Sequence, residues 1–231
     1  MNKSNKLTIC ACASRTFIDK EKVALLATAA SEAGYDVEVI SDLCELCQDK
    51  DEKVHEIAKT TIVACYKKAV KSLMAFVDEE DCKSLDLRPG NFESILEELD
   101  IKSVPTSAES KWVNKIALFK KKLGEDAWYP TIDKDLCAEC GKCYEFCPFG
   151  VYEMVEDRVR VVNPRNCKNN CPACARSCPS GAIVFAKYDR SPINGGEEIQ
   201  EHAVKQGTKE VYGASLREKL AQRREGVKLR K

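Results

Sequence analysis

The stretch that decides the fold runs from Cys137 to Cys178. Its first half reads Cys137-x2-Cys140-x2-Cys143-x3-Cys147-Pro148, and its second half reads Cys167-x3-Cys171-x2-Cys174-x3-Cys178-Pro179. Each Cys-Pro pair is followed two residues later by a glycine, Gly150 or Gly181. The stretch is therefore an internal repeat, and it predicts two similar halves related by a pseudo-twofold axis.

The spacing of these cysteines indicates metal ligation. Cysteine thiolates are the iron ligands of cubane clusters, and gaps of two residues let one tight loop wrap three corners of a cluster. CxxC pairs also bind zinc, so a zinc ribbon is the alternative interpretation. The repeat of four cysteines with a closing Cys-Pro favours iron–sulfur clusters over zinc.

Residues 131–188 resemble the bacterial two-[4Fe-4S] ferredoxin domain, an α+β fold. In such domains the fourth cysteine of each run ligates the other cluster. The resemblance implies one cluster held by Cys137, Cys140, Cys143 and Cys178, and a second held by Cys147, Cys167, Cys171 and Cys174.

Two local features of this segment make structural predictions. Cys167-x3-Cys171 is one residue longer than the usual CxxC, and Asn169 and Asn170 tolerate left-handed backbone, so a bulged loop can absorb the extra residue. Apolar residues on either side of Glu156-Asp157 predict a β-hairpin.

Composition excludes several classes of protein. Lys plus Arg and Asp plus Glu number 37 each, which gives no sign of a nucleic-acid partner. The 14 cysteines are compatible with a secreted disulfide scaffold, but their spacing favours metal ligation. No apolar run approaches the length of a membrane span. We therefore expect a protein of the reducing cytoplasm.

The N-terminal third predicts a small α/β domain with a parallel sheet. Apolar runs at 7–12, 37–40 and 61–64 read as strands. Asp19 caps a helix after the first run, and a second helix is expected near 51–58. This βαβαβ order is typical of parallel strands with right-handed crossovers.

Five N-terminal cysteines lie near the ends of these strands. In a parallel sheet the carboxyl ends share one edge, where ligands usually bind. We therefore expect the thiols of that edge to lie close together: Cys10, Cys12, Cys44, Cys47 and Cys65.

The same part of the chain resembles the N-terminal domain of the flavin-carrying subunit in the heterodisulfide reductase family. The elements that carry the resemblance are Ile9-Cys10-Ala11-Cys12, Leu46-Cys47-Gln48-Asp49 and Val63-Ala64-Cys65-Tyr66-Lys67-Lys68. It implies a further iron–sulfur cluster on Cys10, Cys12, Cys47 and Cys65, with Cys44 extra. Ala13 replaces the glycine that often follows CxC, and Tyr66-Lys67-Lys68 replaces Ser-Pro-Arg. No GxGxxG follows a strand, so the flavin module of that family is absent.

Two alternatives remain open for the N-terminal thiols. Cys44-x2-Cys47 precedes a predicted helix, whose dipole lowers a thiol pKa and favours disulfide exchange. Free cysteines are also often simply buried apolar residues.

We predict four segments: a sheet domain at 1–78, a helical connector at 79–130, the ferredoxin domain at 131–188 and a basic, partly helical tail at 189–231. The predicted function is electron transfer in an anaerobic or low-oxygen cell, as a one-electron carrier or as a relay component of a multi-subunit redox system. Its partners would be redox proteins. One alternative is a thiol–disulfide oxidoreductase, in which the pair Cys44/Cys47 or the pair Cys10/Cys12 receives electrons from the ferredoxin clusters. The other is a regulatory protein that senses oxygen or redox state.

Overall fold

The parallel sheet predicted for the N-terminal part is present, and it has four strands. The computed structural model describes residues 5–119 and 126–196, so the predicted basic tail lies outside the described residues from 197 onward. All strands of the sheet are parallel, in the order β2-β1-β3-β4: β1 (Lys6–Cys10), β2 (Asp36–Ile40), β3 (Thr61–Ala64) and β4 (Lys83–Asp86).

Six helices accompany this sheet in the described residues: α1 (Lys20–Glu32), α2 (Leu43–Asp49), α3 (Lys53–Ala58), α4 (Lys67–Phe76), α5 (Phe92–Glu98) and α6 (Ser110–Ala117). Asp19 caps α1, as predicted, by accepting a hydrogen bond from the Glu21 N–H. Asp42 caps α2 by accepting from the Cys44 N–H at 3.1 Å. This second cap starts α2 directly beyond β2, which places its cysteines at the edge of the sheet.

The fourth strand was not expected, because it lies in the segment predicted as a helical connector. Leu85 is its one buried side chain, so it lacks the apolar run that identifies the other strands. It is also short and at the edge of the sheet, where polar residues are tolerated. Phe92 and Ile95 of α5 and Trp112 of α6 join the same core as the sheet.

The C-terminal domain is built from short elements arranged in two halves: β5 (Thr131–Ile132), α7 (Lys142–Phe146), β6 (Tyr152–Val155), β7 (Arg158–Val161), a 3₁₀ turn (Pro164–Asn166), α8 (Ala173–Ser177) and β8 (Ile183–Val184). β5 pairs with β8 and β6 with β7, both antiparallel. The predicted hairpin is confirmed, and its turn residues Glu156 and Asp157 have φ of 51° and 60°. Each half ends its short helix at a Cys-Pro pair.

The two domains pack directly on each other. Val184 and Ala186, in and after β8, belong to the core that surrounds the parallel sheet. The Tyr129 hydroxyl donates a hydrogen bond to the Cys44 carbonyl at 2.8 Å. These contacts place the end of the C-terminal domain against the cysteine-bearing edge of the sheet.

In the part of the chain that the structure describes, no helix has the length and apolar character needed to cross a membrane.

Candidate functional site

The first cysteine run lies on one loop and the helix that follows it. Cys137 and Cys140 lie in the loop after β5, and Cys143 lies in the first turn of α7. Glu139 has a left-handed backbone with φ of 48°, which turns the chain between the first two cysteines. Its carboxylate accepts a hydrogen bond from the Val159 N–H at 2.9 Å, so the loop is tied to β7.

The fourth cysteine at this loop comes from the other half of the repeat. Cys178, at the end of α8, lines one cavity together with Cys137, Cys140 and Cys143. Burial, helped by the nearby Cys178 and Cys174 side chains, raises the pKa of Cys143 to about 12. The structure thus brings together the four cysteines that the ferredoxin resemblance assigns to one cluster.

The second group is assembled in the same crossed way. Burial, followed by the charges of Cys174, Cys171 and Cys147, raises the pKa of Cys167 to about 12. Cys147 is contributed by the end of α7, in the other half. The Tyr152 hydroxyl donates a hydrogen bond to the Cys174 Sγ at 3.1 Å. These four cysteines are the set that the resemblance assigns to the second cluster.

The extra residue between Cys167 and Cys171 is absorbed as predicted. Asn170 takes left-handed backbone with φ of 59°. The Cys171 N–H donates to the Lys168 carbonyl at 3.0 Å and closes a tight turn. The lengthened loop therefore keeps both of its cysteines in the second group.

The five N-terminal cysteines lie at the carboxyl edge of the parallel sheet. Cys10 ends β1, and Cys12 follows it with a left-handed φ of 47°. Cys44 and Cys47 lie on α2, and Cys65 follows β3. All five side chains are buried, and all five are free thiols.

A buried lysine from the C-terminal domain lies among these thiols. The Lys187 Nζ is 2.6 Å from the Asp42 Oδ2 and 3.6 Å from the Cys12 Sγ, and the Lys187 and Asp42 side chains are each 2% exposed. Burial acts to lower the pKa of Lys187, but the Cys44 and Asp42 side chains outweigh it and raise the pKa well above its usual value. Lys187 and Asp42 thus form a buried ion pair beside the thiols.

A second lysine adds positive charge at the same place. The Lys20 Nζ donates to the carbonyls of Cys12 at 2.8 Å and Arg15 at 3.0 Å, and so holds the loop after β1. Two lysines and one carboxylate, Asp42, thus lie at this edge, although burial lowers the pKa of Lys20. The two ammonium groups would offset negative charge on a thiolate-ligated iron–sulfur cluster held there.

Cys44 and Cys47 have different neighbours in the structure. Burial raises the pKa of Cys44, and Lys187 and Asp42 are its charged neighbours. Lys187 is also a neighbour of Cys65. Burial also raises the pKa of Cys47, but its neighbours are Cys10, Asp42 and Cys82. The group around Lys187 therefore consists of Cys10, Cys12, Cys44 and Cys65, whereas the family resemblance selects Cys47 instead of Cys44.

Sequence reasoning missed Lys187. The sequence signal for Lys187 is weak, because it is only a lysine directly after the apolar run 182–186 of the ferredoxin segment. In residues 5–119 and 126–196, no group of three or more His, Cys, Asp or Glu side chains has the arrangement for a single metal ion. A cubane holds its ligands further apart than one ion does.

Comparison with known proteins identifies the C-terminal domain. The family model described as a 4Fe-4S dicluster domain matches residues 129–179. An uncharacterized ferredoxin of Methanocaldococcus jannaschii is 43% identical over 68 residues, which are 29% of this chain and 46% of that protein. The alignment thus spans less than half the length of this relative.

Two further relatives from the same organism match the same domain. A second uncharacterized ferredoxin is 44% identical over 55 residues, 23% of this chain and 87% of that protein. Pyruvate synthase subunit PorD is 31% identical over 61 residues, 26% of this chain and 70% of that protein. Through its C-terminal domain, the chain belongs to the ferredoxin family with a 4Fe-4S dicluster domain.

Proposed function

We propose that the chain carries electrons through two [4Fe-4S] clusters. One would be held by Cys137, Cys140, Cys143 and Cys178, and the other by Cys147, Cys167, Cys171 and Cys174. When bound, each cluster supplies one-electron redox chemistry. The observation that carries the proposal is the crossed assembly: each short helix gives its closing cysteine, Cys147 or Cys178, to the group of the other half.

The two groups differ in exposure, which suggests where a partner docks. Cys140 of the first group is exposed, and Leu136, directly before Cys137 of the same group, is an exposed apolar side chain. Cys174 of the second group is buried and hydrogen-bonded to Tyr152. We infer that a redox protein exchanges electrons at the first group, and that the second group relays them inward.

A role as a relay component of a multi-subunit redox system fits this arrangement. One relative is itself named as part of such a system, pyruvate synthase. Residues 1–130, which precede the ferredoxin domain, make up more than half of the chain, and a freely diffusing carrier does not need them.

Anaerobic EPR of the dithionite-reduced full-length protein tests the cluster proposal. We expect the spectrum of two reduced [4Fe-4S] clusters that interact magnetically. Cys140→Ser should perturb one of them, whereas Cys82→Ser, outside both groups, should leave the spectrum unchanged. A colourless protein without an EPR signal after reduction contradicts the proposal.

We further propose that the N-terminal thiol site is a second redox site. Four thiols and two lysines meet at one sheet edge, and that observation favours a redox role over inert burial. The resemblance to the heterodisulfide reductase family supports an iron–sulfur cluster there. Cys10, Cys12 and Cys65 would be shared ligands, and the geometry favours Cys44 as the fourth.

The alternative at this site is a dithiol that exchanges with a disulfide, formed by Cys44 and Cys47 and supplied with electrons by the cluster of the second cysteine group. Both thiols lie on α2 rather than before a helix, and burial raises the pKa of each, so the lowered pKa expected from the sequence is not found. Cys167 packs partly against the N-terminal core, and Arg165 forms an ion pair with Asp49 at the end of α2. This contact gives a short route between the two sites.

Iron analysis of matched variants separates these interpretations. A third cluster predicts that Cys44→Ser lowers the iron content by up to about four per chain, while Cys47→Ser leaves it unchanged. The dithiol predicts unchanged iron in both variants and lost disulfide reduction in both. If the thiols are simply buried, neither substitution lowers the iron content or abolishes a disulfide reduction.

A further inference from the structure

A pocket lies between the lengthened cysteine loop and the residues that follow β8. Its volume is about 300 Å³. Asn170, the left-handed residue of the loop, forms part of its lining, together with residues 187–190. The pocket therefore adjoins both the second cysteine group and Lys187 of the N-terminal thiol site.

The lining is rich in positive charge. Four cationic side chains line the pocket, and among the described lining residues one carboxylate, Asp189, accompanies them: Arg15, Arg176, Lys187 and Arg190. Two of the four have carboxylate partners, because Arg15 pairs with Asp126 at 2.6 Å and Lys187 pairs with Asp42. The carboxylates of Asp42, Asp126 and Asp189 balance three of the four positive charges, so one positive charge remains uncompensated.

The remaining two arginines have no acidic partner among the residues that the structure describes. The Arg176 guanidinium donates a hydrogen bond of 2.8 Å to the Tyr188 hydroxyl, and this hydroxyl is a neutral acceptor. Arg190 makes no ion pair within the described ranges. Both arginines are exposed, so water and salt screen their repulsion, and their guanidinium groups are accessible to an anion that enters the pocket.

Two donors of the pocket lining, the Nε of Arg15 and the Nε1 of Trp128, are buried without a partner in the described structure. The Oδ1 of Asp126, whose other oxygen pairs with Arg15, is a buried acceptor without one. The polar atoms at this end of the pocket are therefore incompletely paired.

We propose that this pocket binds a small oxyanion, such as a phosphate, sulfate or carboxylate group, between Arg176 and Arg190. Planar guanidinium groups match the oxygens of such anions in a bidentate way. The proposal also gives the extra residue a role, since the lengthened loop brings the Asn170 amide to the rim. The site goes beyond electron transfer, and a ligand there lies next to Lys187 and the N-terminal thiols.

Calorimetric titration of the anaerobic full-length holoprotein with inorganic phosphate tests this site. We expect saturable binding, weakened at least tenfold by the double substitution Arg176→Gln and Arg190→Gln. Lys168→Gln removes an exposed charge from the same loop but outside the pocket, so it should change the affinity less than twofold. Sulfate and succinate, titrated in the same way, distinguish a tetrahedral oxyanion from a carboxylate as the preferred ligand.

A second pair of variants keeps the test valid if the double substitution unfolds the domain. Asn170→Asp and Asn170→Gly both tolerate left-handed backbone, but only the first adds a negative charge at the rim. Asn170→Asp should weaken phosphate binding at least tenfold, and Asn170→Gly less than threefold. The proposal is wrong if the wild-type protein shows no saturable binding of any of the three anions. It is equally wrong if chloride competes as well as phosphate, or if Asn170→Asp binds as the wild-type protein does.

Discussion

At the scale of single residues, Lys187 connects the two domains. It comes from the ferredoxin domain, yet its ammonium group ends among the thiols of the N-terminal sheet. Asp42 is its partner and at the same time caps α2 through the Cys44 N–H. One buried ion pair therefore fixes both the contact between the domains and the position of the helix that carries Cys44.

Lys187→Met should destabilise the protein strongly. The substitution leaves the Asp42 carboxylate buried without its cation, and breaking one side of a buried ion pair costs about 3–5 kcal/mol. The double variant Lys187→Met with Asp42→Asn should recover much of this loss, because the uncompensated charge is gone. Anaerobic thermal denaturation measures the effect, with the exposed Lys168→Met as control. Strictly additive single and double variants would show that the pair does not act as a unit.

The N-terminal thiols make a prediction about pH. Burial, with the nearby Asp42 and Cys12 charges, raises the pKa of Cys10 from 9.0 to about 12. If these thiols bind no metal, the unfolded chain loses their protons near pH 9 while the folded chain retains them. The stabilisation is then complete below pH 9 and is lost as the pH rises toward 12, by at most about 1.4 kcal/mol per pH unit for each thiol.

Denaturation of the full-length protein between pH 8 and pH 11 checks this dependence. Cys10→Ala should flatten the profile, and Cys82→Ala should do so less, because Cys82 is only half-buried. A profile that is flat in the wild-type protein indicates that the thiols are already ionised and bound to metal.

At the scale of elements, the short helices α7 and α8 organise the C-terminal domain. Each helix carries one cysteine of its own group in its first turn and ends at a cysteine of the other group. Bound clusters would therefore tie the two halves together through Cys147 and Cys178, in addition to the apolar core that both halves share around Trp128, Tyr152 and Phe185.

Cys147→Ser and Cys178→Ser should each damage a different cluster and loosen the fold around both. Iron per chain should fall from about eight toward four in either variant. Circular dichroism should show lower thermal stability than in the Cys82→Ser control. If both variants lose the same cluster by EPR, the crossed assignment is wrong.

Elements with strong local patterns were predictable from sequence, and those that depend on distant contacts were not. β1, β3, the cap of α1 and the hairpin at Glu156-Asp157 follow from runs of apolar residues and turn chemistry. β4 was not predicted, because an edge strand can carry polar residues and so lacks the apolar run that marks a buried strand. The sequence did not show whether Cys44 or Cys47 joins the other thiols, since this depends on where α2 begins after its cap Asp42.

At the scale of the whole described molecule, the ferredoxin domain is not an independent appendage. Arg165 and Lys187 reach the N-terminal domain from two separate segments, and Tyr129 hydrogen-bonds the Cys44 carbonyl. Cys140 of the first cysteine group is exposed, whereas Cys167 of the second group packs partly against the N-terminal core. This arrangement is compatible with the proposed relay of electrons from the surface inward.

The central claim is that the C-terminal domain holds two [4Fe-4S] clusters, and metal analysis of anaerobically purified full-length protein tests it most directly. We predict about eight iron atoms and about eight acid-labile sulfides per chain, and about twelve of each if the N-terminal site holds a third cluster. Zinc in place of iron, with no acid-labile sulfide in a fully folded protein, would contradict the account.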